Sequence, residues 1–318
     1  MAKFDLAILG GGPGGYVAAI RGAQLGLKTC IIDKDKLGGI CLNWGCIPTK
    51  ALLKNAEVYH TIKNADTYGI TVGNVSVDFK KNIKRSRDVS NRLSKGIEFL
   101  MKKNKITHIS GTGKLISKTS IEVKNGRKTE TVEASNIIIA TGARPRTFPG
   151  MELDGKRVIS YKEAMVLDAP PKKMIIIGSG AIGSEFAYYY NEFGTEIHMV
   201  EMMDSLLPVE DADVSKEVEK SFKKSGIKVS TSTKVLKIES LKTKVKVHTE
   251  TNGKEAILAG DVALLAVGVT GNIENIGLED LGLKTDRGSI IINEYNQNNF
   301  QNIYAIGDVS GPPWLAHV

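Results

Sequence analysis

FDLAILGGGPGGYVAAIRGAQLGLKTCIID, residues 4–33, decides the fold. The apolar run FDLAIL ends in clustered glycines. A helix-compatible stretch follows and closes at Gly26, and a second apolar run, TCIID, ends on Asp33. That succession predicts strand, tight turn, helix and second strand, which is one βαβ unit. Inside the turn, Gly10-x-Gly12-x-x-Gly15 gives the glycines separate tasks. One closes the turn, one lets the backbone approach a pyrophosphate, and one allows the helix to pack closely on the strand. The helix N-terminus then favours phosphate charge. Asp33 stands where a carboxylate can accept from ribose hydroxyls. A bare glycine turn would leave Asp33 unexplained.

The pattern recurs in KMIIIGSGAIGSEFAYYYNEFGTEIHMVE, residues 173–201. Gly178, Gly180 and Gly183 repeat the spacing, and Glu201 ends the second strand. Two such units predict an α/β protein with two Rossmann-like dinucleotide-binding domains. Between them, residues 46–105 read as a helical tract with Pro48 in its first turn, where proline is tolerated. Residues 106–139 alternate and turn like a meander, closing on a buried strand, Asn136–Ala140. Ala169-Pro170-Pro171 reads as a linker, and residues 227–267 alternate again and end in the apolar VALLAVG. The domains expected are 1–145, then 146–268, then a return of 269–318 to the first domain.

Composition bounds the rest. Hydrophobic residues at 42% and charged residues at 25% are those of a folded chain, which excludes disorder over most of its 318 residues. No apolar run nears the roughly 18 residues of a membrane span. The N-terminal run holds Asp5 and ends in glycines, unlike a signal peptide, so a cytoplasmic protein is expected. The net charge of +8 raises the question of nucleic acid. Yet the densest basic stretches, KKNIKRSR at 80–87 and KKNK at 102–105, carry no interleaved aromatics. They read as a solvated helix face, and neither a nucleic-acid partner nor a membrane is expected.

Of the three cysteines, Cys30 lies in an apolar strand and reads as an inert core residue. Cys41 and Cys46 flank the start of a predicted helix in GGICLNWGCIPTK, residues 38–50. A helix N-terminus favours a thiolate. Spacing alone fits a redox pair, two buried thiols or half of a metal site. The metal reading lacks a second Cys or His pair with ligand spacing, and no metal is expected.

Those thirteen residues resemble the signature of the class I flavoprotein disulfide reductases, and the CLN and CIPTK elements look most like the dihydrolipoyl dehydrogenase family. The resemblance extends over essentially the whole chain. It implies two dinucleotide domains of three-layer β-β-α character, the first for FAD and the second for NAD. It implies a redox-active disulfide in which Cys41 exchanges with substrate and Cys46 faces the flavin, with Lys50 near flavin N5 and Glu185 paired to that lysine. Thr141-Gly142 in IIATGARP and Gly307-Asp308 in IYAIGDV match family FAD motifs. Asp308 would bond the ribitol, and Gly111 would pass close to the adenine. NAD is expected over NADP because Glu201-Met202-Met203 holds a carboxylate and no basic residue.

The family reaction implied is dihydrolipoamide plus NAD+ to lipoamide plus NADH, with dihydrolipoamide or a lipoyl domain as partner. Family members continue past the GDV segment into an interface domain that forms the homodimer and supplies a His–Glu pair, whereas this sequence ends at WLAHV. His317 matches an earlier LAH element, and His60, His108, His198 and His248 are expected at surface or core. A chain without the interface domain is expected to be a monomer, weak on dihydrolipoamide, with residual electron transfer from NADH to small acceptors. Glutathione, mercuric or trypanothione reductase-like members are a second reading, opposed by Glu201 and the cysteine flanks. Low-molecular-weight thioredoxin reductases are opposed by the position and spacing of the cysteines. A non-catalytic FAD- and NAD-binding fragment is a further alternative.

Overall fold

A computed structural model describes residues 2–318, which form two compact units. The first comprises the chain up to Cys46, Val89–Arg144 and Val269–Val318. Its parallel strands lie in the order Thr107–Ser110, Thr29–Asp33, Ala2–Leu9, Lys128–Ile139 and Ile303–Ala305. Leu9 pairs with Ile32 on one side and Ile139 on the other. Strand order therefore reverses at Ala2–Leu9, and the carboxyl end of that strand is the switch point at which α/β sheets bind ligands.

The strand Lys128–Ile139 changes neighbours along its length. Its start pairs antiparallel with Ser120–Asn125 in a meander that continues to Thr112–Ser117, and its end pairs parallel with Ile303–Ala305. This gives the three layers expected. Side chains alternate across the sheet. Ala7, Leu9, Cys30 and Ile32 pack toward the meander residues Leu115, Ile121 and Val123. Leu6, Ile8 and Ile31 pack toward Ala19 and Met101 on the helices. Burial on both faces explains why the strands read as unbroken apolar runs. Cys30 is fully buried, and burial pushes its thiol up to about 12.

The second unit, Ile47–Asp88 with Pro145–Gly268, repeats the plan. Its parallel order is Lys228–Ser230, Glu196–Val200, Lys173–Ile177, Val262–Leu265 and Val158–Ile159. The meander Thr233–Ser240, Val245–Thr251 and Lys254–Gly260 covers Ile175, Ile177, Val200 and Leu265. Aromatic side chains tie the segment Ile47–Asp88 into this unit. Tyr59 stacks on Phe193 at 5.3 Å between ring centroids, and Phe79 meets the same ring edge-on at 5.5 Å.

The tract 46–105 is two helices rather than one, Cys46–Lys63 and Phe79–Lys103. A 3-10 turn at Ala65–Tyr68 ends in Gly69 with φ +69°, and the β-branched run ITVGNVSV follows. Left-handed glycine stops a helix, and β-branched residues resist restarting it. Thr107–Ser110 also differs from the expected meander: it joins the parallel sheet beside Thr29–Asp33.

Candidate active site

Backbone geometry accounts for the glycines of the first unit. Gly10 has φ +116°, and a Cβ there would stand 2.1 Å from the Ala140 carbonyl oxygen. A Cβ on Gly15 would stand 1.9 Å from Gly10 O. Both positions exclude any side chain. Gly12 is the N-cap of the helix Pro13–Gln24 and makes no side-chain cap bond, so the first N–H groups of the helix remain open to an anion. Asp33 Oδ2 accepts from Gly11 N at 2.5 Å and Oδ1 from Asp35 N at 2.8 Å. Burial raises the Asp33 carboxyl above its ordinary range, against those two N–H bonds. A carboxylate has about four acceptor sites, so about two remain for a ligand.

The cysteine loop is built onto this turn. Gly38 N donates to Gly11 O at 2.8 Å. Gly39, with φ +56°, comes so close that a Cβ would lie 2.5 Å from Gly12 Cα. Cys41 sits in the short helix Gly39–Asn43, half-buried, and Cys46 opens the helix Cys46–Lys63, exposed. The amide of Asn43 donates to Leu37 O at 3.2 Å and Gly39 O at 3.0 Å, bracing the loop from within. From Phe79–Lys103, the hydroxyls of Ser90 and Ser94 donate to Leu42 O and Leu37 O. The basic helix thus turns a buried stripe of Ser86, Ser90 and Ser94 inward while its lysines stay in solvent. Sequence reading took only the solvated face; the i, i+4, i+8 serines were the signal for the other.

Tyr16 is a residue the sequence reading missed. Its hydroxyl is raised above the ordinary phenol range by burial and then by the negative charge of Cys41 and Cys46, which puts it in the electrostatic neighbourhood of both sulfurs. Gly111, at φ +152°, donates to Asp33 O at 2.8 Å, and a Cβ there would meet Val123 Cγ1 at 2.7 Å. Its glycine is required by the meander packed on it. Thr141 Oγ1 donates to Asn272 O at 2.9 Å, and Asn272 Nδ2 returns a bond to Thr141 O at 2.8 Å. Asn272 was not legible as a partner, because the bond spans residues far apart in sequence. Gly142 follows with φ +70° and open space around it. The segment carrying Asp308 lies against the glycine helix, where a Cβ on Gly14 would stand 3.3 Å from the Ile306 side chain. The Asp308 carboxyl is half-buried and raised by that burial.

The second unit repeats the turn. A Cβ on Gly178, at φ +96°, would lie 2.4 Å from Ala266 O, and one on Gly183 2.1 Å from Gly178 O. Gly180 is the N-cap of Ala181–Glu192, again without a side-chain cap. Glu201 is buried and accepts from Ser179 N and Ser179 Oγ, each at 2.8 Å, and from Met203 N at 2.9 Å. Lys50 Nζ lies 2.5 Å from Glu185 Oε1, joining the helix that Cys46 opens to the helix behind Gly180. Three of the five histidines are engaged elsewhere: His60 with Glu192 at 2.9 Å, His198 with Ser230 at 2.9 Å and His248 with Glu239 at 3.0 Å. Among the described residues no cluster of His, Cys, Asp and Glu could hold a metal, and no helix is long and apolar enough to cross a membrane.

A family model described as pyridine nucleotide-disulphide oxidoreductase matches residues 4–318. The chain belongs to that family. Dihydrolipoyl dehydrogenase of Rhizobium etli is 50% identical, over 99% of this chain and 69% of that protein. The enzymes of the same name from Zymomonas mobilis and Bacillus subtilis are 48% and 43% identical, over 99% of this chain and 68% and 69% of theirs. Among solved structures, LpdA of Mycobacterium tuberculosis superposes with a TM-score of 0.91 at 29% identity, covering all of this chain and 70% of that one. The copper(II) complex of the HOCl-induced flavoprotein disulfide reductase RclA of Escherichia coli gives 0.88 at 26% identity, covering all of this chain and 68% of that one. As a member of the family the chain is an oxidoreductase that works with FAD and NAD(H). Its residues fit both groups. Each glycine turn leaves room at its middle glycine, Gly12 and Gly180, each helix start is uncapped by a side chain, and each acid at the second strand end keeps acceptor capacity.

Proposed function

We propose that this protein is a disulfide oxidoreductase of the dihydrolipoyl dehydrogenase type, passing electrons from dihydrolipoamide, free or on a lipoyl domain, to NAD+. The observation that carries the reading is the seating of the cysteine loop on the first glycine turn, Gly38 N to Gly11 O and Gly39 against Gly12. A redox pair and a dinucleotide pyrophosphate would then share one wall. FAD, when bound, supplies the two-electron relay between thiols and nicotinamide.

The chain's own residues do the remainder. Gly10, Gly12 and Gly15 with Asp33 would hold the pyrophosphate and adenosine of FAD, Gly111 would border the adenine, and Thr141, Gly142 and Asp308 would line the flavin side. Gly178, Gly180 and Gly183 with Glu201 do the same for NAD. Cys41 and Cys46 form the disulfide in the oxidised protein. A dihydrolipoamide thiolate attacks Cys41 sulfur, forming a mixed disulfide and releasing the Cys46 thiolate. The second substrate thiolate displaces Cys41, leaving lipoamide oxidised and the pair reduced by two electrons. Cys46 would face the flavin, and Lys50, paired with Glu185, would offer it an ammonium group.

The experiment is the first half-reaction. Dihydrolipoamide added to the oxidised, FAD-loaded chain converts the cysteine pair to thiols, counted by alkylation and mass. Reduction of the pair is expected in the unsubstituted protein and not in Cys41→Ser. A pair inert to dihydrolipoamide but reduced by glutathione would redirect the reading to another member of the family.

A further inference from the structure

Gly11 and Ser179 hold equivalent places, the second position of each glycine turn. They serve their acids differently. Gly11 offers Asp33 one N–H, and a Cβ there would stand 2.5 Å from Leu37 Cδ2 and 2.8 Å from Asp33 Oδ2. Ser179 is fully buried and gives Glu201 Oε2 both its N–H and its hydroxyl, each at 2.8 Å. The same Oγ accepts from Leu207 N at 3.3 Å. Leu207 sits at φ +48°, a left-handed backbone that a leucine rarely adopts, and its carbonyl is held by Ser215 Oγ at 3.1 Å. One buried hydroxyl therefore fastens the acid at the strand end and the loop that follows it.

We infer that Ser179 is a positioning residue for nicotinamide-dinucleotide selection, acting through Glu201; this rests on the NAD reading above. With Oε2 accepting twice and Oε1 once from Met203 N, about one acceptor site remains, on Oε1. A carboxylate pinned so that a single lone pair is presented offers a ribose hydroxyl one directed bond and turns its charge on a 2′-phosphate. Without the hydroxyl, Glu201 keeps the Ser179 and Met203 N–H bonds but gains freedom to rotate, and the Leu207 loop loses an anchor.

The test follows flavin reduction by NADH and by NADPH in the FAD-loaded full chain, with the apparent Kd separated from the limiting rate. Ser179→Ala, and Ser179→Gly, which recreates the arrangement that already folds at Gly11, are expected to weaken NADH about tenfold. The limiting rate stays unchanged and the NADH-over-NADPH preference narrows. In a Glu201→Ala background the same substitutions are expected to change NADH affinity little, because the group they position is gone. Unchanged NADH affinity in both Ser179 variants, or an equal loss with and without Glu201, would overturn the inference. An unsubstituted chain whose flavin ignores NADH would overturn the NAD reading itself, and the inference with it.

Discussion

Lys50 Nζ and Glu185 Oε1 meet at 2.5 Å, although Lys50 is well exposed and Glu185 partly so. Exposed ion pairs contribute little to stability, about 0–1 kcal/mol. The pair is therefore better explained by what it positions. Lys50→Met and Glu185→Gln are expected to melt within a few degrees of the unsubstituted protein and to bind FAD, yet to slow flavin reduction by NADH by about tenfold to a hundredfold. Stopped-flow absorbance against a thermal melt checks the split; equal damage to both would mark the pair as structural.

The glycine turns separate the two cofactors. Gly10→Ala drives a Cβ into Ala140 O, and Gly178→Ala into Ala266 O. Each is expected to distort its own unit at a cost of several kcal/mol. Gly10→Ala should purify without FAD, whereas Gly178→Ala should stay yellow and lose its response to NADH. Gly142→Ala is the control: its φ is +70° but nothing stands within 4 Å, so only about 1–2 kcal/mol of left-handed strain applies. Flavin content by absorbance distinguishes the three.

Cysteine chemistry offers a third expectation. Cys30 is fully buried with its thiol pushed up to about 12, while Cys41 is half-buried and Cys46 exposed. After reduction, iodoacetamide at mildly alkaline pH should label Cys46 and Cys41 and leave Cys30 untouched until the protein unfolds. Peptide mass mapping reads the outcome. Labelling of Cys30 in the folded chain would contradict the core that holds it.

Asp154 gives a pH expectation. Burial pushes its carboxyl up, but the Ser240 hydroxyl and the N–H groups of Lys156, Arg157 and Val158 outweigh that and hold it at about 2. A folded-state value below the unfolded one means stability that is full above about pH 4 and lost as pH falls toward 2. Asp154→Ala is expected to cost on the order of 1 kcal/mol at neutral pH, reduced by the exposure of the site. The deficit should close below pH 4, which denaturant melts across pH will read.

Much of the fold was legible because both units use the most local signals available. Strand, glycine turn, helix and acid lie within thirty residues and need no distant partner to be recognised. The same holds for the cysteine loop, whose short motif sits next to that turn. What sequence reading missed depends on pairs far apart in the chain. The break between Lys63 and Phe79 needed the glycine and β-branched run to be weighed against a helical tract. The inward serines of Phe79–Lys103 were hidden behind its lysines. Asn272 answers Thr141, and Tyr16 approaches the cysteines, only once the sheet has formed. Ser179 carries no motif signal, since its role lies in a hydroxyl bond to Glu201, 22 residues away.

In the proposed function Cys41 and Cys46 form a redox pair with Cys46 facing the flavin. Anaerobic titration of the FAD-loaded chain with NADH tests it most directly. The first two electrons are expected to leave the flavin oxidised and to raise a long-wavelength absorbance band from the Cys46 thiolate beside it, a band absent from Cys46→Ser. Direct bleaching of the flavin by the first equivalent, with no such band in the unsubstituted protein, would contradict it.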